Sequence, residues 1–251
     1  MSIVVDRSAN GRVETWWLTR EEARNAITLE MWTQLRDLAS SLNSSVRVVV
    51  IRGRGAHFSA GADIVGLGRS LAADVDGSNY REINRAAEAA VASMTVPTVA
   101  AIDGFCVGGG VQLALACDLR IASRSARFAV TPAKLGIAYP ASALTRLVAI
   151  VGPAAASELL LSADTIDVER ALNISLVTRI VDDLDAGLDA LVSSLISRSP
   201  FTQMATKSVM NALIASNDVE SLGRRWESAS LEHGDLAEGL SAFREKREPN
   251  F

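Results

Sequence analysis

The run VRVVVI at Val46–Ile51 is the tightest constraint on how this chain folds. β-Branched side chains lose rotamer freedom in a helix and pack well on a pleated surface, so the run predicts a buried strand. Gly53, Gly55 and Gly61 follow it, the last inside HFSAGADI at His57–Ile64. Glycines at a strand end let the backbone turn sharply and approach a ligand closely. Taken alone, the segment reads as a strand-end turn capped by Asp63, with His57 as a structural or surface histidine.

A second segment, IDGFCVGGGVQLALACD at Ile102–Asp118, places Gly108–Gly110 before an apolar helix at Val111–Cys117. A helix start leaves N–H groups unpaired, and its dipole favours negative charge there. Two such N–H sources facing one point would form an oxyanion hole.

The elements alternate through the first two thirds. Strands are predicted at Val13–Leu18, Val46–Ile51, Pro97–Ile102, Leu119–Ala122 and Phe128–Val130. A polar turn spans Arg20–Arg24, and helices span Thr28–Leu42, with Thr28 as N-cap, and Tyr80–Met94. Gly66–Gly77 is glycine-rich and aperiodic and reads as a mobile loop. This order predicts an α/β fold. After Val177–Val181 no strand is expected. Helices are read at Ala154–Leu161, Val168–Leu172, Ala186–Ser197, Thr202–Ile214, Val219–Leu231 and Leu236–Lys246. Their apolar faces predict a helical region or an oligomer interface.

At 251 residues with 49% hydrophobic and 22% charged side chains, the composition is that of an ordinary soluble enzyme. A net charge of −4 gives no nucleic-acid footprint. Cys106 and Cys117 read as buried free thiols, which fits a cytoplasmic location. The N-terminus MSIVVDRSANGR lacks the apolar stretch of a signal peptide, and no run reads as a membrane span.

Five segments in order resemble the crotonase (enoyl-CoA hydratase/isomerase) superfamily across nearly the whole chain. TREEARNAIT at Thr19–Thr28 is similar to its RPEARNALN. HFSAGADI and IDGFCVGGGVQLALACDLRIAS are similar to its two oxyanion-hole turns. ERALNISLVTRIV at Glu169–Val181 resembles ALxxGLVxxVV, and FREKREPNF at Phe243–Phe251 resembles its C-terminal tail. The resemblance implies a spiral of ββα turns over residues 1–195 that binds a coenzyme A thioester. It implies a helical region over 196–251 that builds a homotrimer, commonly paired into a hexamer. It assigns the thioester oxygen to the N–H groups of Ala62 and Gly109. The coenzyme A track falls to Arg24, Asn25, Ala26, Ala60, Ala62, Asp63 and Ile64, and the adenine end to Phe243 and Lys246, often from a neighbouring subunit. Coenzyme A enters as part of the substrate; no metal or permanently bound cofactor is expected. Where many members have a phosphate-binding lysine this chain has Val65, so arginines such as Arg24 or Arg69 must serve.

No Asp or Glu occurs between Asp118 and Glu158. The resemblance places the two hydratase glutamates at Gln112 and Pro132, and the aspartate of dienoyl isomerases and dehalogenases at Pro140. An amide can hold a water but cannot take its proton. Near the same pocket the sequence offers Tyr139, Ser142, Thr131 and Lys134. TPAKLGIAY at Thr131–Tyr139 resembles the TPxxLGxPY of methylmalonyl-CoA decarboxylases, although those tend to have histidine at Ala62 and glutamate at Gln112. Tyr139 reads equally as a pocket-wall aromatic. Three readings follow: decarboxylation of a malonyl-type acyl-CoA, non-catalytic acyl-CoA binding, or slow hydratase/isomerase chemistry through Gln112 and Tyr139. Hydration of crotonyl-CoA should be very slow or undetectable, because paired acid/base groups supply about two to four orders of magnitude in rate. The double change Gln112→Glu with Pro132→Glu should raise it, followed as loss of enoyl absorbance; wild-type turnover as fast as an ordinary hydratase would refute this expectation.

Overall fold

The computed structural model describes residues 3–73, 78–215 and 217–251. Ile3–Ser8 (β1) and Val13–Leu18 (β2) form an antiparallel pair, with Ile3 opposite Leu18. Leu29–Ser40 (α1) then crosses to Val48–Gly53 (β3), which lies parallel to β2. Thr28 caps α1, its side chain accepting from the Met31 N–H at 3.2 Å. Two helices follow, Ile64–Ala73 (α2) and Ser78–Ser93 (α3). Next come Thr98–Ile102 (β4), Phe105–Val107 (β5) and Gly109–Ala116 (α4). The pattern repeats with Leu119–Ser123 (β6), Arg127–Ala129 (β7) and a short helix Pro132–Leu135 (α5). Ala141–Ser162 (α6), Ile166–Asp167 (β8), Val168–Asn173 (α7) and Arg179–Val181 (β9) complete the α/β part. Four helices end the chain: Leu184–Ile196 (α8), Pro200–Ile214 (α9), Val219–Glu232 (α10) and Gly234–Glu245 (α11).

The large sheet runs β1-β2-β3-β4-β6-β9, and the small one β5-β7-β8. β4 and β5, then β6 and β7, each leave one strand in either sheet before the chain enters a helix. This is the ββα spiral expected from the sequence. Alternation along the strands divides the core. Trp16, Leu18, Val49, Ile51, Ala100 and Ile102 pack with Trp32, Leu35, Val91, Leu113 and Phe128. The intervening Val13, Val48, Val50, Val99, Ala101 and Ile121 face Leu184 and Leu188 of α8. Both faces of β3 are therefore dry, which is why its sequence is apolar without interruption.

Several expectations need correction. Gly66–Ala73 is helical, within α2, where the glycine content predicts a loop. Asp63 anchors this helix, its backbone oxygen accepting from the Leu67 N–H at 2.7 Å, and Leu67 is buried. Two glycines cost a helix only about 1 kcal/mol each, and such anchoring offsets that. Residues 74–77, with Asp74 and Asp76, lie outside the described residues. The short β5 and β8 carry too little pattern to be read alone, and β1 turns polar after Val5. α6 is by length and composition apolar enough to cross a membrane, contrary to the sequence reading. However, it breaks at Gly152 (φ 78°) before Pro153, and buries Ala143, Leu147, Ala156 and Leu159 in the protein.

α9 is joined to the sheet by a buried cation. The Lys207 ammonium reaches Asp118 Oδ2 and the Val96 carbonyl, both at 2.6 Å. Asp118 also accepts from the Thr98 N–H and hydroxyl, so one carboxylate gathers α9, β4 and the end of α4. Asn211 adds a bond to the Ala92 carbonyl at 2.8 Å. Removing one member of a buried ion pair leaves the other uncompensated. Lys207→Met should therefore lower unfolding free energy by about 3–5 kcal/mol in urea titrations; a loss below about 1 kcal/mol would show that the pair is not a tie.

Candidate active site

The two glycine-bearing turns are brought together by backbone pairing. Phe58 and Ser59 donate to the Asp103 and Phe105 carbonyls at 2.7 and 2.8 Å, and Val107 donates back to the Ser59 carbonyl at 2.9 Å. The first turn thus runs alongside β5. Ser59, fully buried, locks the approach: its hydroxyl donates to the Asn25 carbonyl at 2.8 Å and accepts from the Gly61 N–H at 3.1 Å. Contact between the turns leaves no space for side chains. A Cβ on Gly110 would sit 2.9 Å from the Ser59 carbonyl oxygen, and one on Gly61 (φ +104°) 2.8 Å from that of Val107.

This approach leaves two N–H groups over. Ile27 donates to the Gly61 carbonyl at 2.7 Å and accepts from the Asp63 N–H at 2.9 Å. These bonds straddle Ala62 and turn its own N–H to the opposite side, because successive amides alternate along an extended strand. Gly109 is the first residue of α4, so its N–H has no partner within the helix. Neither N–H donates to another described residue. The turns are adjacent there: a Cβ on Gly109 would lie 3.3 Å from the Ala62 nitrogen.

Both residues line one end of a cavity of about 480 Å³. Ile64, Leu67, Leu135, Ile137 and Ala138 give it apolar walls, and Arg81 and Arg85 of α3 line it too. Gln112, Pro132, Tyr139 and Pro140 all line it, so the positions compared with family carboxylates do share one space. Tyr139 is half-buried, and its hydroxyl donates to the Gly108 carbonyl at 3.4 Å. Burial, with the negative charge of Glu88 nearby, pushes its pKa well above the usual phenol value. It is held protonated at neutral pH and is no base.

Glu88 is the residue that sequence reasoning missed. It is 1% exposed, on α3, directly behind the cavity wall. Its Oε2 accepts from Gln112 Nε2 and from Ser142 Oγ, both at 2.8 Å. Its Oε1 has no hydrogen bond and faces Arg146 Nε at 3.4 Å. Gln112 Nε2 also donates to Asn84 Oδ1 at 2.8 Å, and Asn84 Nδ2 donates to Gln112 Oε1 at 3.2 Å. Glu88 can only accept when ionised, so it fixes which end of the Gln112 amide faces it. A signal was present. Asn84, Ala87, Glu88 and Val91 fall at i, i+3, i+4 and i+7 on the buried stripe of α3, where two polar residues are out of place.

Other expected residues lie elsewhere. Of the coenzyme A track, Ala60, Ala62 and Ile64 line the cavity; Arg24, Asn25, Ala26 and Asp63 do not. Asn25 is a fully buried staple, donating to the Arg54 and His57 carbonyls at 2.8 and 2.7 Å. Asp63 is occupied with α2 and with Arg20, 3.6 Å away. The Arg24 guanidinium lies over the Phe105 ring. Phe243 and Lys246 are exposed at the end of α11, away from the cavity. Lys134 is exposed on α5, and the Arg69 side chain lies outside the described residues. His57 is structural, its Nδ1 accepting from the Phe105 N–H at 3.2 Å. Cys106 and Cys117 are free and buried, and burial pushes the Cys117 thiol up to about 12.

Comparison with known proteins agrees with this architecture. The family model for enoyl-CoA hydratase/isomerase matches residues 9–251. A peroxisomal Delta(3,5)-Delta(2,4)-dienoyl-CoA isomerase of Arabidopsis thaliana is 31% identical, over 99% of this chain and 95% of its own. The crystal structure of an enoyl-CoA hydratase/carnithine racemase from Magnetospirillum magneticum superposes with a TM-score of 0.94 at 33% identity, covering 100% of this chain and 95% of that one. A Thermobifida fusca structure in complex with acetoacetyl-CoA has a TM-score of 0.84 at 31% identity, covering 92% and 95%. With its paired turns, its spiral and nearly its whole length matched, the chain belongs to the enoyl-CoA hydratase/isomerase family.

Proposed function

We propose that this protein binds an acyl-CoA thioester and stabilises its enolate with the N–H groups of Ala62 and Gly109. One observation carries the reading: two unpartnered backbone donors, from separate turns, lie side by side in the lining of a largely apolar cavity. As an enolate forms, charge collects on the thioester oxygen, where fixed donors act most strongly on the transition state. The dienoyl-CoA isomerase relative and the acetoacetyl-CoA complex support the same ligand class.

Among enolate reactions the geometry favours proton transfer, as in isomerisation of an enoyl-CoA. Hydration needs two proton-moving groups, and Gln112 and Pro132 supply neither. Decarboxylation of a malonyl-type group, suggested by TPAKLGIAY, needs free donors for a carboxylate beside the thioester. The donors there are engaged: both Gln112 N–H bonds go to Asn84 and Glu88, Ser142 donates to Glu88, and Tyr139 donates to Gly108. The charge of Glu88 behind them would also repel a second carboxylate. Tyr139 then serves as a wall of the cavity.

Acetoacetyl-CoA should bind partly as its enolate, read as a rise in enolate absorbance at constant pH. Gly109→Pro removes one N–H at the first position of α4, where the helix makes no use of it, and should abolish that rise, with turnover about two to three orders of magnitude lower. Tight binding with no enolate signal in the wild type would instead identify a non-catalytic acyl-CoA-binding protein.

The same reading extends to assembly as a homotrimer or a hexamer. Leu213, Leu231, Leu236, Leu240 and Phe243 are exposed along α9, α10 and α11, more apolar surface than a monomer ordinarily leaves in water. Phe243 and Lys246 would then reach the adenine end of a ligand held by a neighbour. Light scattering should give a mass three or six times that of the chain; a stable monomer at micromolar concentration would rule this out.

A further inference from the structure

We propose that Glu88 takes up and returns, through the Ser142 hydroxyl, the proton that leaves the acyl-CoA carbon next to the thioester. The proposal rests on the enolate reading above and supplies the base that the cavity wall lacks. Asn84, Gln112 and Ser142 all line the cavity, and Glu88 lies behind them. Of these, only Ser142 joins the cavity to the carboxylate by a transferable proton. Gln112 and Asn84 are amides whose N–H groups do not ionise. Ser142 Oγ donates its proton to Glu88 Oε2 at 2.8 Å, which leaves its lone pairs for the cavity.

The step balances without another reactant. The C–H proton passes to Ser142 Oγ as the hydroxyl proton of Ser142 passes to Glu88 Oε2. The electron pair of the C–H bond moves into the enolate, and its charge rests on the oxygen held by Ala62 and Gly109. Reversal at the same or a conjugated carbon returns the proton, so the enzyme ends unchanged.

The cluster has the properties this role requires. A buried carboxylate is costly, and a purely structural one would be expected to have both oxygens satisfied. Here Oε1 has no hydrogen bond, with Arg146 of α6 at 3.4 Å as its only ion pair among the described residues. Tyr139 is the other titratable group facing Glu88 and is held neutral. The amides of Asn84 and Gln112 hold the carboxylate in place, one hydrogen bond behind the Ser142 hydroxyl.

The test is exchange of the α-proton of butyryl-CoA in deuterium oxide, followed by NMR, with butyryl-CoA affinity measured in parallel. Wild-type protein should bind and exchange. Glu88→Gln keeps the size and the bonds but cannot take a proton, and should slow exchange by about 100-fold or more with affinity nearly unchanged. Ser142→Ala should do the same and perturbs packing less. Arg146→Gln breaks the ion pair but leaves the base. Exchange should persist there, with the acid limb of its pH profile moved upward, because a carboxylate that loses a neighbouring cation gains a proton more easily. A merely structural Glu88 predicts no such movement. Exchange at the wild-type rate in Glu88→Gln or Ser142→Ala would overturn the relay and leave the enolate reading standing. Binding without exchange in the wild type would overturn it too. Failure of the wild type to bind acyl-CoA would instead refute the underlying reading.

Discussion

The close approach of two backbone turns is the constraint on which the rest depends. Ser59 is the centre of it: its backbone pairs with Phe105 and Val107, and its hydroxyl holds Asn25 and Gly61. On the far side of the first turn Ile27 bonds the residues flanking Ala62 and leaves the Ala62 N–H facing away. The start of α4 leaves the Gly109 N–H unpaired for an unrelated reason, the geometry of any helix terminus. A backbone N–H without a protein partner is uncommon, and these two border one cavity, which is what carries the proposal that a ligand oxygen binds there.

The polar cluster behind the cavity solves a different problem. Gln112 on α4, Ser142 on α6 and Asn84 with Glu88 on α3 come from three helices that meet at the cavity wall. Glu88 accepts from two of them and so sets the direction of every bond in the group. An apolar replacement of the group would pack as well and avoid the cost of a buried charge. Its presence beside the proposed enolate site fits the proposed chemistry, because buried acids gather where protons are moved.

The glycine at each turn is understood through what it touches. Gly110 lets the first turn of α4 press on Ser59, and Gly61 lets Ala62 come against Val107 and Gly109. Neither glycine is there for flexibility. Gly66 and Gly68 show the reverse case: they look like loop residues and sit in a helix, because Asp63 anchors its start and Leu67 packs.

The sequence by itself determined the fold class and marked the two glycine-bearing turns. β-Branched runs spaced by amphipathic helices specify an α/β fold, since period-2 and period-3.6 patterns bury their apolar faces in only a few ways, and the family resemblance added the spiral. The glycine turns were legible as sharp bends, and the family resemblance pointed to Ala62 and Gly109 within them. What the tertiary structure alone decided was which side chains meet. Gln112 and Glu88 are far apart in sequence, and their bond exists only because α3 packs on α4. The absence of acids between Asp118 and Glu158 was a true statement about the chain, yet it left out the carboxylate that arrives from α3. Asn25 and Asp63 lie in a motif that resembles a ligand track, and packing turned their side chains to holding the turn together. Local conformation follows from neighbouring residues, but the environment of a side chain follows from packing, and packing is a property of the whole fold.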